Sequence, residues 1–197
     1  VRVGVAGGSL GSDAAAVLRG LDRIAPGQDL QSLALSLGSD VPFLLRGGIS
    51  IGAGRGDLLD PLPFRPLWFV LLNFDHRLDD KTRAMFAALE PGDFSDGAAI
   101  AQVATMVRDN PQALGAMRLP NGFRRALYSL FPEVAAVAAT VETVTGLPVQ
   151  VTGAGPTLYL VARDFRHALS LRSGLRLAGD LRGRFDRCLV VRSVSRI

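Results

Sequence analysis

Three prolines within six residues, Pro61-Leu62-Pro63-Phe64-Arg65-Pro66, divide this chain into two parts. Proline has no N–H to donate and a fixed φ, so such a segment suits neither a helix interior nor a central strand. It reads as a linker between residues 1–64 and residues 65–197. The chain has 197 residues, 48% hydrophobic and 20% charged. That is room for one large domain or two small ones and enough apolar side chain for a core, which excludes a disordered, collagen-like or coiled-coil chain.

The longest apolar run, Leu67-Trp68-Phe69-Val70-Leu71-Leu72, has the length of a buried strand. It falls far short of the roughly 18 residues that a membrane-spanning helix needs. The single cysteine, Cys188, excludes an internal disulfide and a Cys-based zinc site, and His76 and His167 lie too far apart in sequence to suggest a metal centre. No secretory-type segment is read at the first residues, and a reducing cytoplasm is the expected location. Val1-Arg2-Val3-Gly4-Val5 has the character of an interior stretch, so a processed or truncated chain is expected.

Residues 163–197 carry nine Arg against three Asp, a surplus of six, while the formal charge of the whole is +4. A basic stretch of this kind can follow nucleic-acid phosphates. Here the arginines alternate with Leu169, Leu171, Leu175, Leu177, Phe185, Leu189 and Val191, the pattern of amphipathic elements with solvated faces. A small-molecule partner is expected, rather than nucleic acid or membrane; the sequence assigns no oligomeric state.

Pattern and punctuation then give an α+β order. A short strand over 1–6 leads through a glycine turn into a helix ending near Ile24, with Ser12 or Asp13 as N-cap. Asp29 caps a second helix that Gly38 ends, and Gly38–Pro42 forms a polar corner. A strand follows over 47–54, turning at Gly54-Arg55-Gly56 into a partner around 58–62. The second part holds strands over 67–73, 149–151, 157–162 and 188–194. Its helices run over 79–89, 97–107, 123–130, from Pro132 to Gly146, and from the cap Asp164 to about Leu171. Asn73, Asp75 and His76 follow a buried strand and read as a solvated strand end that could touch a substrate.

Two segments carry chemistry. Gly7-Gly8-Ser9-Leu10-Gly11-Ser12 joins a strand to a helix; glycines let backbone approach a ligand, and a helix start offers N–H groups and a positive dipole end to an anion. It is neither a Walker P-loop nor a dinucleotide fingerprint. Taken by itself it reads first as a tight strand–helix connection. The second segment, Thr152-Gly153-Ala154-Gly155-Pro156-Thr157, reads equally as a plain turn between strands.

Taken in order, the segments resemble the GHMP kinase superfamily, and more narrowly its diphosphocytidyl-methylerythritol kinases. Val3–Gly8 followed by Ser12–Leu18 is similar to the family's phosphate-binding motif. Leu37-Gly38-Ser39-Asp40-Val41-Pro42-Phe43 is similar to its Gly-Ala/Ser-Asp-Val-Pro corner, Arg46-Gly47-Gly48 with Gly54-Arg55-Gly56 to the strand pair closing its first domain, and residues 152–157 to its third motif. Asn121 and Phe131-Pro132-Glu133-Val134 resemble the stretch before it.

The resemblance implies a partial, ribosomal S5-like N-terminal domain over 1–64 and a ferredoxin-like C-terminal domain over 65–197. It implies an ATP- and Mg²⁺-dependent kinase that phosphorylates a hydroxyl of diphosphocytidyl-methylerythritol in non-mevalonate isoprenoid biosynthesis. Asp40 would be the catalytic residue; Gly7, Gly8, Ser9, Gly11 and Ser12 would face the nucleotide; Gly153, Ala154, Gly155 and Thr157 would bind substrate or shape the loop. No metal ligand is assigned, and Asp13 reads as a cap or brace. Gly4 stands where the family has proline, the glycine run is two residues shorter, and Ala154 replaces a serine. The family's N-terminal segment, with the lysine that faces its aspartate, has no counterpart, and the one lysine, Lys81, lies in the second domain. An inactive isolated chain with an exposed sheet edge is therefore expected. The alternatives are another GHMP kinase, acting on a sugar, homoserine or mevalonate-like alcohol, and a non-catalytic relic of the fold.

Overall fold

The computed structural model describes residues 10–74 and 81–195. Two compact units divide the chain, Val1–Pro66 with Ser193–Ile197, and Leu67–Arg192.

In the first unit, helix α1 (Leu10–Ile24) turns Ala15 and Leu18 inward from one face. Helix α2 (Leu30–Leu37) starts at Asp29, whose carboxylate accepts from the Ser32 N–H at 3.1 Å and the Ser32 hydroxyl at 2.6 Å. Helix α3 (Val41–Arg46) has proline in its first turn, where a missing N–H costs nothing, and buries Val41, Phe43 and Leu44. These side chains close on Ala15, Leu18 and Ala34 as the unit's core. The Arg19 guanidinium of α1 donates to the carbonyls of Leu44 and Leu45, at the end of α3 where helical carbonyls lack partners. Strands β1 (Ile49–Ala53) and β2 (Leu58–Leu62) form an antiparallel hairpin with Ile49 opposite Leu62.

Three expectations are corrected here. Helix α1 begins at Leu10, so Ser12 and Asp13 lie inside its first turns instead of capping it. Val41–Arg46, expected within and after a polar corner, is a helix. Pro61 belongs to β2, opposite Ser50, and not to a linker; an edge strand tolerates its missing donor.

The second unit is built on β3 (Trp68–Asn73), β4 (Gln150–Val151), β5 (Leu158–Ala162) and β6 (Arg187–Arg192), in the order β4-β5-β3-β6 with every pair antiparallel. Helices α4 (Lys81–Ala87), α5 (Ala98–Asp109), α6 (Arg124–Leu130) and α7 (Pro132–Thr145) lie between β3 and β4, and α8 (Phe165–Leu177) between β5 and β6. A first strand placed centrally and a helical crossover in each half make this the ferredoxin-like, split β-α-β arrangement. Helix α8 runs six residues past its expected end, carrying Leu175 into the core.

Alternation sorts the strand residues onto two faces. Val70, Leu72, Leu158, Leu160 and Val151 meet Val134, Val137, Ala138 and Val141 of α7 and Ala168 and Leu175 of α8. On the other face Phe69 meets Tyr159 edge-on, ring centroids 5.8 Å apart, and burial pushes the Tyr159 hydroxyl up to about 12. Gln150, 1% exposed, ties this face down. Its side-chain carbonyl accepts from the Leu119 N–H at 2.9 Å and its amide donates to the Met117 carbonyl at 2.7 Å. No single described helix is long and apolar enough to cross a membrane. Helices α6 and α7 meet at 116° around Phe131–Pro132.

Glu142, in the last turn of α7, accepts from Arg118 at 2.9 Å and from the Val149 N–H at 2.8 Å. Burial raises its pKa, but the Arg118 bond, the Val149 bond and the nearby guanidinium charges outweigh it and hold the carboxyl below its ordinary value.

Replacing Gln150 with Leu strands the Leu119 N–H and the Met117 carbonyl and should lower stability by at least about 1–3 kcal/mol in urea denaturation. For Glu142 a depressed folded pKa means stabilisation that is complete above the unfolded value and lost as pH falls through the folded one. Urea midpoints followed from about pH 6 to about pH 3 should fall, and Glu142→Gln should flatten that fall.

Candidate active site

The expected site residues fall in two places, one in each unit. In the first, Asp40 occupies the N-cap position of α3, with φ −90° and ψ −17°, and its side chain makes no capping hydrogen bond to the helix. Main chain fixes the corner instead: the Val41 N–H donates to the Gly38 carbonyl at 3.1 Å and the Leu44 N–H to the Asp40 carbonyl at 3.0 Å. The hairpin turn presses on it from outside. Gly56 is buried at φ +99°, and a Cβ there would stand 2.5 Å from the Ser39 carbonyl oxygen. Only glycine allows both the backbone angle and the approach. The turn is braced by the Asp57 carboxylate, which accepts from the Arg55 N–H at 2.9 Å.

Gly11 and Ser12 lie half-buried in the first turn of α1. The N–H groups of a helix's first turn receive no partner from the helix itself, and Gly11 has no Cβ to hold an anion at a distance. Helix α1 packs on α3 through Ala15, Leu18, Val41 and Leu44, so Gly11, Ser12 and Asp40 stand on two helices of one core. Gly7, Gly8 and Ser9 lie outside the described residues, as do Asp75 and His76. Among the described residues no cluster of three His, Cys, Asp or Glu side chains could by itself hold a metal.

In the second unit Gly153, Ala154, Gly155 and Thr157 form one turn between β4 and β5. The Thr152 N–H donates to the Thr157 carbonyl at 3.1 Å and the Gly155 N–H to the Thr152 carbonyl at 2.7 Å. Gly155 adopts φ +69°, and a Cβ on it would stand 2.7 Å from both Leu127 methyls, so α6 sits directly against the turn. Sequence reasoning assigned Asn121 no role here, yet it anchors the turn. Its amide donates to the carbonyls of Val151 and Gly153, each at 3.0 Å, while its own carbonyl accepts from the Phe123 N–H at 2.8 Å. The available signal was an Asn-Gly pair just ahead of a helix, a side chain able to serve as a local backbone surrogate.

Asn73 departs from the solvated strand end expected of it. Its Oδ1 is buried, as is Oγ1 of Thr152, and neither atom has a hydrogen-bond partner among the described residues. The register sets both near one end of the sheet, since Leu72, just before Asn73, pairs with Leu158, and Val151, just before Thr152, pairs with the same residue. Buried oxygens without partners are costly in a finished core and suit a place that a ligand completes.

Asn121→Ala should speed amide exchange at Thr152 and Gly155 about tenfold or more, as the anchored carbonyls are released, while the unit still melts cooperatively. Gly56→Ala should lower stability by about 1–3 kcal/mol and shift the Ser39 and Asp40 backbone resonances, because strain at positive φ and overlap with the carbonyl act together.

No protein-family profile matches the chain. Curated 4-diphosphocytidyl-2-C-methyl-D-erythritol kinases do. That of Gloeobacter violaceus is 32% identical over 176 residues, 85% of this chain and 58% of the relative. That of Nocardioides sp. is 36% identical over 183 residues, 89% of this chain and 61% of the relative. The chain thus spans about three fifths of the length of these relatives. A crystal structure of 4-(cytidine 5'-diphospho)-2C-methyl-D-erythritol kinase superposes with a TM-score of 0.69 at 28% identity, over 92% of this chain and 63% of that one. Homoserine kinase from Cytophaga hutchinsonii, at 18% identity and a TM-score of 0.65, and L. major mevalonate kinase, at 13% and 0.65, share the fold.

Proposed function

We propose, for a chain homologous to the 4-diphosphocytidyl-2-C-methyl-D-erythritol kinases and carrying the GHMP kinase fold, that the protein containing it transfers phosphate from ATP to a hydroxyl of 4-diphosphocytidyl-2-C-methyl-D-erythritol. It would do so in the cytoplasm, as a step of isoprenoid synthesis. Residues 1–64 supply the phosphate loop and the aspartate corner of the first kinase domain, an S5-like one, and residues 65–197 the second domain. The observation that carries this reading is the setting of Asp40: the N-cap position of α3, on a corner pinned by main chain and by Gly56, in the same core as the start of α1.

Phosphoryl transfer asks for alignment and charge stabilisation more than covalent chemistry. Asp40 takes or orients the proton of the acceptor hydroxyl, a role contributing about 10²–10⁴-fold. Gly7, Gly8, Ser9, Gly11 and Ser12 present N–H groups and hydroxyls to the phosphates of ATP at the start of α1. Gly153, Ala154, Gly155 and Thr157, held by Asn121, shape the substrate side. When bound, Mg²⁺ would supply charge neutralisation to the phosphates; among the described residues no cluster of three His, Cys, Asp or Glu side chains could hold it, which suits an ion held mainly by phosphates and water.

The test is ³¹P NMR of the product formed from ATP and the cytidine-linked alcohol. Asp40→Asn should lower kcat by about 10²–10⁴-fold with the melting temperature and the affinity for ADP kept. Retention of activity within about tenfold would remove Asp40 from this role. Transfer to homoserine or mevalonate but not to the cytidine-linked alcohol would change the substrate and leave the phosphate site in place.

A further inference from the structure

Outside the residues considered so far, the second unit has a cleft of about 360 Å³ between the last turns of α8, the turn over residues 181–186 and the start of β6. Three guanidinium-bearing residues line it, each from a different element: Arg176 from α8, Arg182 from the turn and Arg187 from β6. No ion pair joins any of the three to a carboxylate among the described residues. This distinguishes them from Arg118 and Arg125, which are engaged by Glu142 and by Asp93 with Glu90.

Leu181, 1% exposed, and the half-buried Phe185 line the same cleft, with Leu189 at its rim. The Cys188 thiol is also there, and burial pushes its pKa up against the pull of Arg172 and Arg176. One carboxylate, that of Asp186, belongs to the lining; its backbone N–H is tied to the Asn73 carbonyl at 2.9 Å, which holds the turn against the end of β3. Among the described residues the lining holds three cations to one anion, around a space large enough for a small molecule. Guanidinium forks suit phosphate oxygens, which several of them can share, and the apolar lining suits an attached organic group.

We propose that this cleft binds a small phosphate-type polyanion, its charged groups met by Arg176, Arg182 and Arg187 and its organic part lying on Phe185 and Leu189. The reading does not depend on kinase activity. It absorbs part of the arginine surplus of residues 163–197, which the proposed phosphoryl transfer leaves unused.

The experiment is an NMR titration of uniformly ¹⁵N-labelled protein with inorganic pyrophosphate, and separately with phenyl phosphate, at constant ionic strength. The expected result is saturable shifts at the side-chain Nε–H of Arg176, Arg182 and Arg187. The double variant Arg182→Gln, Arg187→Gln should weaken binding about tenfold or more at unchanged melting temperature. The single variant Arg182→Gln serves if the double one does not fold. Phenyl phosphate should also shift Phe185. Unsaturating shifts spread over arginines elsewhere, such as Arg65 and Arg166, would overturn the proposal, as would shifts confined to Gly11 and Ser12. Tighter binding of a short RNA through the same three arginines would replace it with a nucleic-acid surface.

Discussion

The second unit depends on one strand being buried on both sides. In β3 the run Phe69-Val70-Leu71-Leu72 has no residue more than 6% exposed, so neither face can be left to solvent. Such a strand must be central, with a neighbour at each edge and a layer on each face. The chain satisfies this by pairing β3 with both β5 and β6 and by laying α7 and α8 on the Val70–Leu72 face. The same register puts the turn between β4 and β5 beside the exit of β3. That turn rests directly on the core, with Leu127 of α6 packed against Gly155.

The first unit reaches a fixed geometry by different means. Its apolar cluster is small, and short α3 has only six residues in which to define itself. A helix so short has little intrinsic stability and must be held from outside. Arg19 satisfies its last carbonyls, and the Gly56 contact with Ser39 fixes the residue pair that starts it. These two constraints, one at either end of the helix, fix the backbone of Asp40.

Much of this was legible because it rests on local signals. Asp29 as a cap, Gly38 and Gly146 as helix ends, Pro132 at a helix start and the apolar strand over 67–73 all declare themselves in a few neighbouring residues. The errors came where longer-range packing decides. Val41–Arg46 is too short and too apolar for a 3.6-residue period to show, and becomes a helix because α1 supplies the partner for its carbonyls. Pro61 punctuates like a linker, yet an edge position lets it remain in a strand. The α8 overrun follows from Leu175 finding a place in the core. Asn121 was visible only as part of a resemblance, since its bonds to Val151 and Gly153 span some thirty residues. The buried oxygens of Asn73 and Thr152 had no sequence signal at all; they result from where the sheet ends.

The use of arginine gives the remaining cleft its meaning. Only one of the 22 basic residues is lysine, so composition alone could account for guanidinium groups anywhere on the surface. Many of them nevertheless have definite structural partners. Arg19 and Arg124 donate to backbone carbonyls, Arg125 reaches Asp93, Glu90 and the Ala88 carbonyl together, and Arg192 stands 5.9 Å from the Trp68 ring centre. These contacts exploit what distinguishes arginine from lysine, a planar head that can satisfy several acceptors or lie over a ring. What sets Arg176, Arg182 and Arg187 apart is that three guanidinium-bearing residues line one cleft, with no carboxylate paired to them among the described residues. Like charges gathered around one space favour an anion there, and of the lining residues Asp186 supplies one negative charge. A surface arising from composition alone would scatter such groups; their convergence from three separate elements is what points to a ligand.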